Sequence, residues 1–562
     1  MTVIPFRYFG DGSISYALGR IYGMLWPAVT LSEPAPGSII VERNVVVPMR
    51  DSISLRVNVF RPAGDGLFPI LVSAHPYGKD NFPARGLFGY HLPVQYRALR
   101  QTGTVPISTL TTWEAPDPVW WCERGYTLIN VDLRGAGTSE GIGSVFTVKE
   151  GEDVYDVIEW AAKQPWSNGS VGMIGVSYLA ISQYHVATLH PPGLKAICPW
   201  EGFTDAYSDL CMPGGVRENG FIKLWKAGIK NVRLTDDMID QQSKRPLRDD
   251  YWESLVPDLS KIEVPMLACT SFSDNNLHSR GTWRAFMHAG SKQKHAYTHR
   301  SGKWAVFYNE PALSAQLSFF ERYLKGRTDV PLLPRVRLEV RASQTEIVDV
   351  RDENEYPLAR TKWTPLYLSE DGKLADAKVN SDGSETFHTR NQCAAFTWTF
   401  HDDTELTGPM SAHLWVSSPD LDDLDLIIGI EKWSDGKFIP FEGSYGFGRD
   451  RVTTGWQRAS LRSLDETKST DYLPVTACTK SEKLQKDQVV EVPIAMGHSA
   501  TAFKAGESIR LIIACRWLTS TSPFTGNFPA YYVTEGQGHC TVHWGKEYPS
   551  SILVPVIPKS GA

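Results

Sequence analysis

Long apolar runs are absent from this 562-residue chain. No stretch reaches the ~18 consecutive apolar residues that a membrane-crossing helix needs. The N-terminus has no basic segment followed by an apolar run, so no secretory leader is read there, and a cytoplasmic enzyme without a membrane partner is expected. The eight cysteines (Cys122, Cys198, Cys211, Cys269, Cys393, Cys478, Cys515 and Cys540) stand singly. Without a C-x-x-C there is no zinc ribbon, and no dense disulfide framework is indicated. H-E-x-x-H and calcium-loop patterns are also missing, so no metal is expected. After Asp132 the glycines Gly135, Gly137 and Gly141 miss the G-x-G-x-x-G spacing, the third falling one position late. A dinucleotide site is therefore not expected, nor any other cofactor. Long basic runs are lacking and the formal charge is −6, from 57 basic against 63 acidic residues. That argues against nucleic acid as a partner.

What is present describes an ordinary globular protein: 42% hydrophobic, 21% charged, with 18 Trp available to fill cores and line pockets. A chain of this length divides into about three to four domains. Residues 1–38 read as an N-terminal extension with a short helix near Ser15–Leu25. Ile39–Pro48 and Ser54–Phe60 alternate as a β-hairpin. Phe68–Ala74 and Tyr126–Asp132 are apolar enough to lie in a sheet covered on both faces. Between them, residues 80–117 form a long connection of the kind that often covers an active-site mouth. In Gly151–Lys163, Val154, Val157, Ile158, Ala161 and Ala162 recur at helical spacing. Strands then alternate with helices, which predicts a mostly parallel α/β sheet over 39–202 and 257–330. Residues 203–256 are helical and polar, and read as a cap inserted over the sheet edge. From 331 to 562 alternating strands dominate, with turn signals between them and almost no helical pattern, and an all-β jelly-roll-like sandwich is expected.

One stretch concentrates the chemistry. Ser170–Val176 is an apolar strand that turns sharply at Gly175-Val176-Ser177 and continues in helix-forming residues. A serine on a strand-to-helix turn is pushed out above the sheet edge, where a base and a following backbone N–H can reach it. Ser177 is the candidate nucleophile, although the second glycine of the usual esterase pattern is replaced by Leu179. A weakly nucleophilic hydroxyl needs a base, and the base needs an orienting carboxylate. In the order nucleophile, acid, histidine, each leaving a strand end, Asp274 follows Val264–Thr270 and His299 follows Gln293–Tyr297. The rivals are His295, at the start of its strand, and His278 and His288, in the segment after Asp274. Tyr77 leaves the end of Phe68–Ala74, where its hydroxyl could donate to an oxyanion.

These residues and their surroundings resemble the CocE/NonD hydrolase family over about Ile39–Pro558. The resemblance lies in His75-Pro-Tyr-Gly-Lys79, Asp132–Gly141, Gln164–Leu179, Phe319–Gly326, Thr501–Leu511 and Pro549–Pro555. The family's serine motif, G-x-S-Y-x-G, accommodates Leu179. The resemblance implies Ser177 as nucleophile, Asp274 as acid, His299 as base, and an oxyanion hole made by the Tyr77 hydroxyl and the Tyr178 backbone N–H. It also implies an α/β-hydrolase domain, a helical cap and a C-terminal jelly roll. The chain departs from the pattern at Ala180, at Ser271-Phe-Ser-Asp274 and at His295-Ala-Tyr-Thr-His299, so its pocket differs from the family's usual one.

The expected function is hydrolysis of a carboxylic ester of a small organic molecule through an acyl-enzyme. Amide cleavage by an acylase or X-Pro-type peptidase is the first alternative. Recognition of a free amino group would then fall to cap carboxylates such as Asp205, Asp209 or Glu218. An acyltransferase and a non-catalytic binder on the same fold are the others. The large β domain also offers surface for a homo-oligomer.

Overall fold

The computed structural model describes residues 2–5, 14–86, 89–98, 103–443, 449–519 and 530–559. The predicted hairpin is formed by Ile39–Pro48 and Ser54–Pro62, with Ile39 opposite Pro62. Ser54–Pro62 then pairs antiparallel with Thr127–Asp132. From there the sheet is parallel. Thr127–Asp132 lies beside Phe68–His75, which lies beside Ser167–Val176. Leu194–Trp200, Met266–Cys269 and Lys294–Tyr297 follow in register. The strands interrupted by helices in sequence are thus neighbours in space, as parallel pairing requires of its crossover connections.

Periodicity explains the burial. Thr127–Asp132 is buried at every position, as expected of a strand with helices on both faces. The helix Val148–Ala162 starts where the Thr147 hydroxyl accepts the Glu150 N–H, and buries Val154, Val157, Ile158 and Ala161. Tyr178–Ala187 is buried along its whole length, which fits a helix with no polar face. Each fully buried Val, Leu or Ile here contributes roughly 1.5–3 kcal/mol of transfer free energy.

The segment 203–256 is helical, in pieces: a π-helical turn Ala206–Cys211, then Phe221–Gly228, Met238–Lys244 and Asp250–Ser254. Inside it a two-residue strand, Arg217–Glu218, pairs antiparallel with Tyr532–Val533 of the C-terminal region. Gly214, at φ 57°, lies so near Trp456 that a Cβ would meet its carbonyl oxygen at 1.9 Å. Insertion and C-terminal region are therefore in direct contact.

Beyond residue 331 the chain is nearly all β, with its own apolar core. Thr404–Ser417 and Val490–Phe503 make its longest antiparallel ladder. On the former, Ala412, Leu414 and Val416 are fully buried while the alternate His413 and Trp415 are partly exposed, the period-2 pattern of a one-sided strand. The sheet does not stop at 330. Val336–Arg341 pairs parallel with Lys294–Tyr297 and antiparallel with Ile347–Glu353, and its Arg341 reaches Thr501. The first strand of the expected β domain thus also extends the parallel sheet.

The N-terminal helix spans Ile14–Leu25, as expected; residues 6–13 lie outside the described ones. The 80–117 connection contains short pieces, Ala84–Gly86, Val94–Ala98 and Val105–Ser108; residues 87–88 and 99–102 lie outside the described ones. Among the described residues, no helix is long and apolar enough to cross a membrane.

Candidate active site

Ser177 sits at the tip of the turn between Ser167–Val176 and Tyr178–Ala187, with φ 62° and ψ −116°. A non-glycine residue at positive φ is held there at a cost of about 1–3 kcal/mol, repaid by its surroundings. Two contacts hold it: its N–H donates to the Trp200 carbonyl at 3.0 Å, and the Val176 N–H donates to the Glu114 carbonyl at 3.1 Å. The turn also needs Gly175, at φ 149°, since a Cβ there would stand 2.4 Å from the Leu179 Cβ. Leu179 thus packs where the usual motif has glycine. Ala180 is matched by Gly202, where a Cβ would fall 2.8 Å from that of Ala180.

The imidazole facing Ser177 belongs to His278. Its Nε2 lies 3.1 Å from the Ser177 Oγ, and its Nδ1 lies 2.5 Å from Asp274 Oδ2. Asp274 and His278 stand on one turn leading into the helix Ser279–His288, where residues four apart face the same way. The Ser279 N–H donates to the Asp274 carbonyl at 3.0 Å and fixes that turn.

His299, the expected base, does not reach Ser177. Its Nε2 meets Glu201 Oε1 at 3.0 Å, and its Nδ1 accepts the Ser301 N–H at 3.2 Å. The imidazole is therefore a donor at Nε2, and that proton goes to Glu201. The physical reason is local. Glu201 directly follows Trp200, at φ 53°, at the end of the strand that separates the one leading to Ser177 from Met266–Cys269, and its carboxylate takes the His299 hydrogen bond. The chain just beyond His299 delivers a different group instead: Lys303 Nζ lies 2.5 Å from Asp274 Oδ2 and 2.8 Å from His278 Nδ1. It also lies 3.5 Å from Glu201 Oε2.

All these groups are buried, so each charge matters. Burial alone would push the Asp274 carboxyl up, but Lys303 and then His278 outweigh it and hold it far below the usual carboxylate range. Burial and the Lys303 ammonium push His278 down, against the pull of Asp274. Burial would likewise raise Glu201, but Lys303 and the His299 hydrogen bond bring it below its ordinary value. Lys303 stays charged because Asp274 and Glu201 overcome its desolvation. Glu114 is different. Burial pushes it up to about 8, its Oε1 accepts the Trp304 indole N–H at 3.2 Å, and its Oε2 has no hydrogen-bond partner.

Tyr77 lies where the sheet-edge position predicts. It shares the walls of one recess with Ser177 and Trp225, and burial holds its hydroxyl well above the ordinary tyrosine range, as a donor. The Tyr178 ring does something else: its hydroxyl donates to Glu150 Oε2 at 2.5 Å. Its backbone N–H opens the helix, where no carbonyl one turn back within the helix is available to it.

Beside Ser177 and His278 is a narrow recess with about 240 Å³ of empty space, its open mouth included, and walls that include Phe146, Phe203, Phe221 and Trp225. Phe146 is itself at φ 61°, and its ring lies 5.0 Å from that of Phe203 and 5.7 Å from that of Trp225. The cap carboxylates point elsewhere. Asp205 pairs with Arg248, Asp209 with Arg284, and Glu218 accepts the N–H groups of Gly220, Phe221 and Ile222.

Glu201, Cys269 and His299 place donor atoms within 4.8 Å of one another. Their lone pairs are already engaged: one Glu201 oxygen meets His299, and the other accepts from the Ser271 hydroxyl at 2.7 Å. Burial keeps the Cys269 thiol well above its ordinary pKa, so it is no thiolate ligand.

Of the residues singled out in the sequence, Ser177, Asp274, Tyr77 and Tyr178 come together and His299 does not join them. Nothing in the local sequence marks Glu201, Lys303 or Glu114. His278 stands among the rival histidines, and its signal in the sequence is the Asp-x-x-x-His spacing just before a helix.

A nucleophile elbow on a parallel sheet, with an imidazole and a carboxylate in line behind the serine, defines a serine hydrolase of the α/β type. The comparisons then narrow the class. Residues 51–237 match the S15 X-Pro dipeptidyl-peptidase family, and residues 328–553 match the X-Pro dipeptidyl-peptidase C-terminal non-catalytic domain. A CocE/NonD family hydrolase from Staphylococcus aureus is 37% identical, with a TM-score of 0.87 over 92% of this chain and 94% of that one. The chain belongs to the CocE/NonD hydrolase family. A cocaine esterase from Rhodococcus sp. is 25% identical over 93% of this chain and 100% of its own length. An α-amino acid ester hydrolase shares the fold at 16% identity, with a TM-score of 0.69 over 94% of this chain and 98% of that one.

Proposed function

We propose that the protein hydrolyses carboxylic esters of small organic molecules, with Ser177 as nucleophile, His278 as base and Asp274 as the group that orients it. The alignment of Ser177 Oγ, His278 Nε2 and Asp274 Oδ2, at 3.1 Å and 2.5 Å, carries this reading. In the productive tautomer Nδ1–H donates to Asp274, which leaves the Nε2 lone pair for the serine proton. Ser177 Oγ attacks the ester carbonyl as His278 takes its proton. The Tyr77 hydroxyl and Tyr178 N–H then donate to the oxyanion. Collapse expels the alcohol, which leaves with the proton from Nε2. Water, deprotonated by the same nitrogen, attacks the acyl-enzyme; a second collapse releases the acid and restores Ser177.

The aromatic recess favours a small apolar acyl group. A free α-amino group would find no carboxylate on those walls, since Asp205, Asp209 and Glu218 are engaged elsewhere. That favours an ester over an N-terminal dipeptide. The C-terminal region we read as a jelly-roll-like sandwich, supported by its antiparallel ladders and separate core.

The test combines a fluorophosphonate label with p-nitrophenyl esters of graded acyl length and X-Pro anilides. Labelling that disappears in Ser177→Ala, with turnover confined to short or aromatic esters, is expected. Undiminished labelling of Ser177→Ala would remove the nucleophile, and anilide turnover at ester-like rates would favour the peptidase.

A further inference from the structure

Lys303 has no part in the acyl-enzyme cycle above, yet it occupies the centre of the site's charge network. Its Nζ, His278 Nδ1 and Asp274 Oδ2 form a triangle with sides of 2.5, 2.5 and 2.8 Å. The triangle admits two proton arrangements. In one, both Nδ1–H and the ammonium donate to Asp274, and Nε2 is free to accept the Ser177 proton. In the other, the ammonium donates to Nδ1, Nε2 carries the proton, and the imidazole is no base. Asp274 Oδ2 decides between them by attracting both protons at once. A second carboxylate, Glu201, lies on the far side of the ammonium at 3.5 Å and draws it away from Nδ1.

We propose that Lys303 is a positioning residue that keeps the imidazole of His278 uncharged and ready to accept a proton. The argument rests on His278 being the base. The charged and titratable groups facing His278 are Asp274 on its own turn, Lys303 at the start of the helix Lys303–Phe307, and Glu201 just after Leu194–Trp200. Glu114 faces Lys303 from the 109–117 segment. Among these, Lys303 is the one cation. Without it, two carboxylates would face the imidazole with no positive charge between them, and His278 would hold a proton at higher pH. With it, protonation is postponed to lower pH, and the base stays available in acid. The same ammonium also opposes the imidazolium formed during acylation, so its position between two carboxylates is part of the device.

The test is the acid limb of kcat/KM for a p-nitrophenyl ester. In Lys303→Met the limb is expected to move up by at least about one pH unit, since a charge at this distance shifts its neighbour by about one to three. Lys303→Arg keeps the charge and should leave the limb near that of the parent. Glu201→Gln removes a carboxylate while keeping a hydrogen-bonding side chain, and should move the limb down. It keeps the proposal testable if Lys303→Met does not fold. A limb unmoved in both Lys303→Met and Glu201→Gln, in protein that still takes the fluorophosphonate, would overturn the role of Lys303. An active His278→Ala would instead overturn the assignment of the base.

Discussion

Asp274 and His278 stand four residues apart on a single turn, and their side chains meet at 2.5 Å. The proposed acid and base thus come from one turn, and the helix Lys303–Phe307 brings Lys303 to it.

This arrangement separates two histidines experimentally. His278→Ala should lose about 10²–10⁴-fold in kcat, the usual contribution of a general base. His299→Ala should keep kcat within about tenfold but unfold more easily, because the buried Glu201 loses a hydrogen bond worth about 1–3 kcal/mol. Steady-state kinetics and thermal unfolding of both variants check this, and the reverse ranking of activity would restore His299.

Tyr77→Phe should lower kcat by about 10²–10³-fold, or roughly 2.7–4 kcal/mol, with little change in KM. The hydroxyl is predicted to act on the developing oxyanion rather than on bound substrate, so binding is spared. Ester kinetics decide it, and unchanged turnover would take Tyr77 out of the hole.

Glu114 predicts a pH dependence of stability. Its folded carboxyl is raised from 4.5 to about 8, so the folded state binds the extra proton more tightly than the unfolded chain. Its contribution is fully present below about 4.5 and is lost as pH rises through about 8. Glu114→Gln should therefore gain in Tm relative to the parent between about pH 5 and 8.5. A Tm difference that stays flat over that range would contradict the assignment.

Gly175→Ala tests the elbow. The new Cβ would overlap Leu179 in a backbone region open chiefly to glycine. A loss of at least about 1–3 kcal/mol is expected, with fluorophosphonate labelling lost in step with folding. Wild-type unfolding and labelling would show that the turn can be rebuilt.

The sequence was most informative where period and composition act locally. The hairpin 39–62, the buried strands, the helix following residue 147 and the elbow at Ser177 all follow from alternation, helical spacing and glycine placement. The choice between His278 and His299 did not, because both follow strands and both have an acid within reach. What decides it is the position of Glu201, at the end of a different strand and 98 residues from His299. Such a pairing exists only once the sheet has formed. Lys303 was hidden for the same reason: one lysine after a histidine has no meaning until Asp274 is beside it. Composition changes near 330, and composition carries no trace of the double pairing of Val336–Arg341, with Lys294–Tyr297 on one side and with Thr501 on the other.

The short strand Arg217–Glu218 has a consequence for how substrate is admitted. Laced to Tyr532–Val533, with Gly214 seated on Trp456 and Glu218 also accepting the Tyr531 N–H, the insertion is a fixed arch with a footing in the far domain. It cannot swing as a door without unzipping that seam. What that seam holds still is the wall of the recess itself, with Phe221 and Trp225 of the insertion standing beside Ser177 and His278.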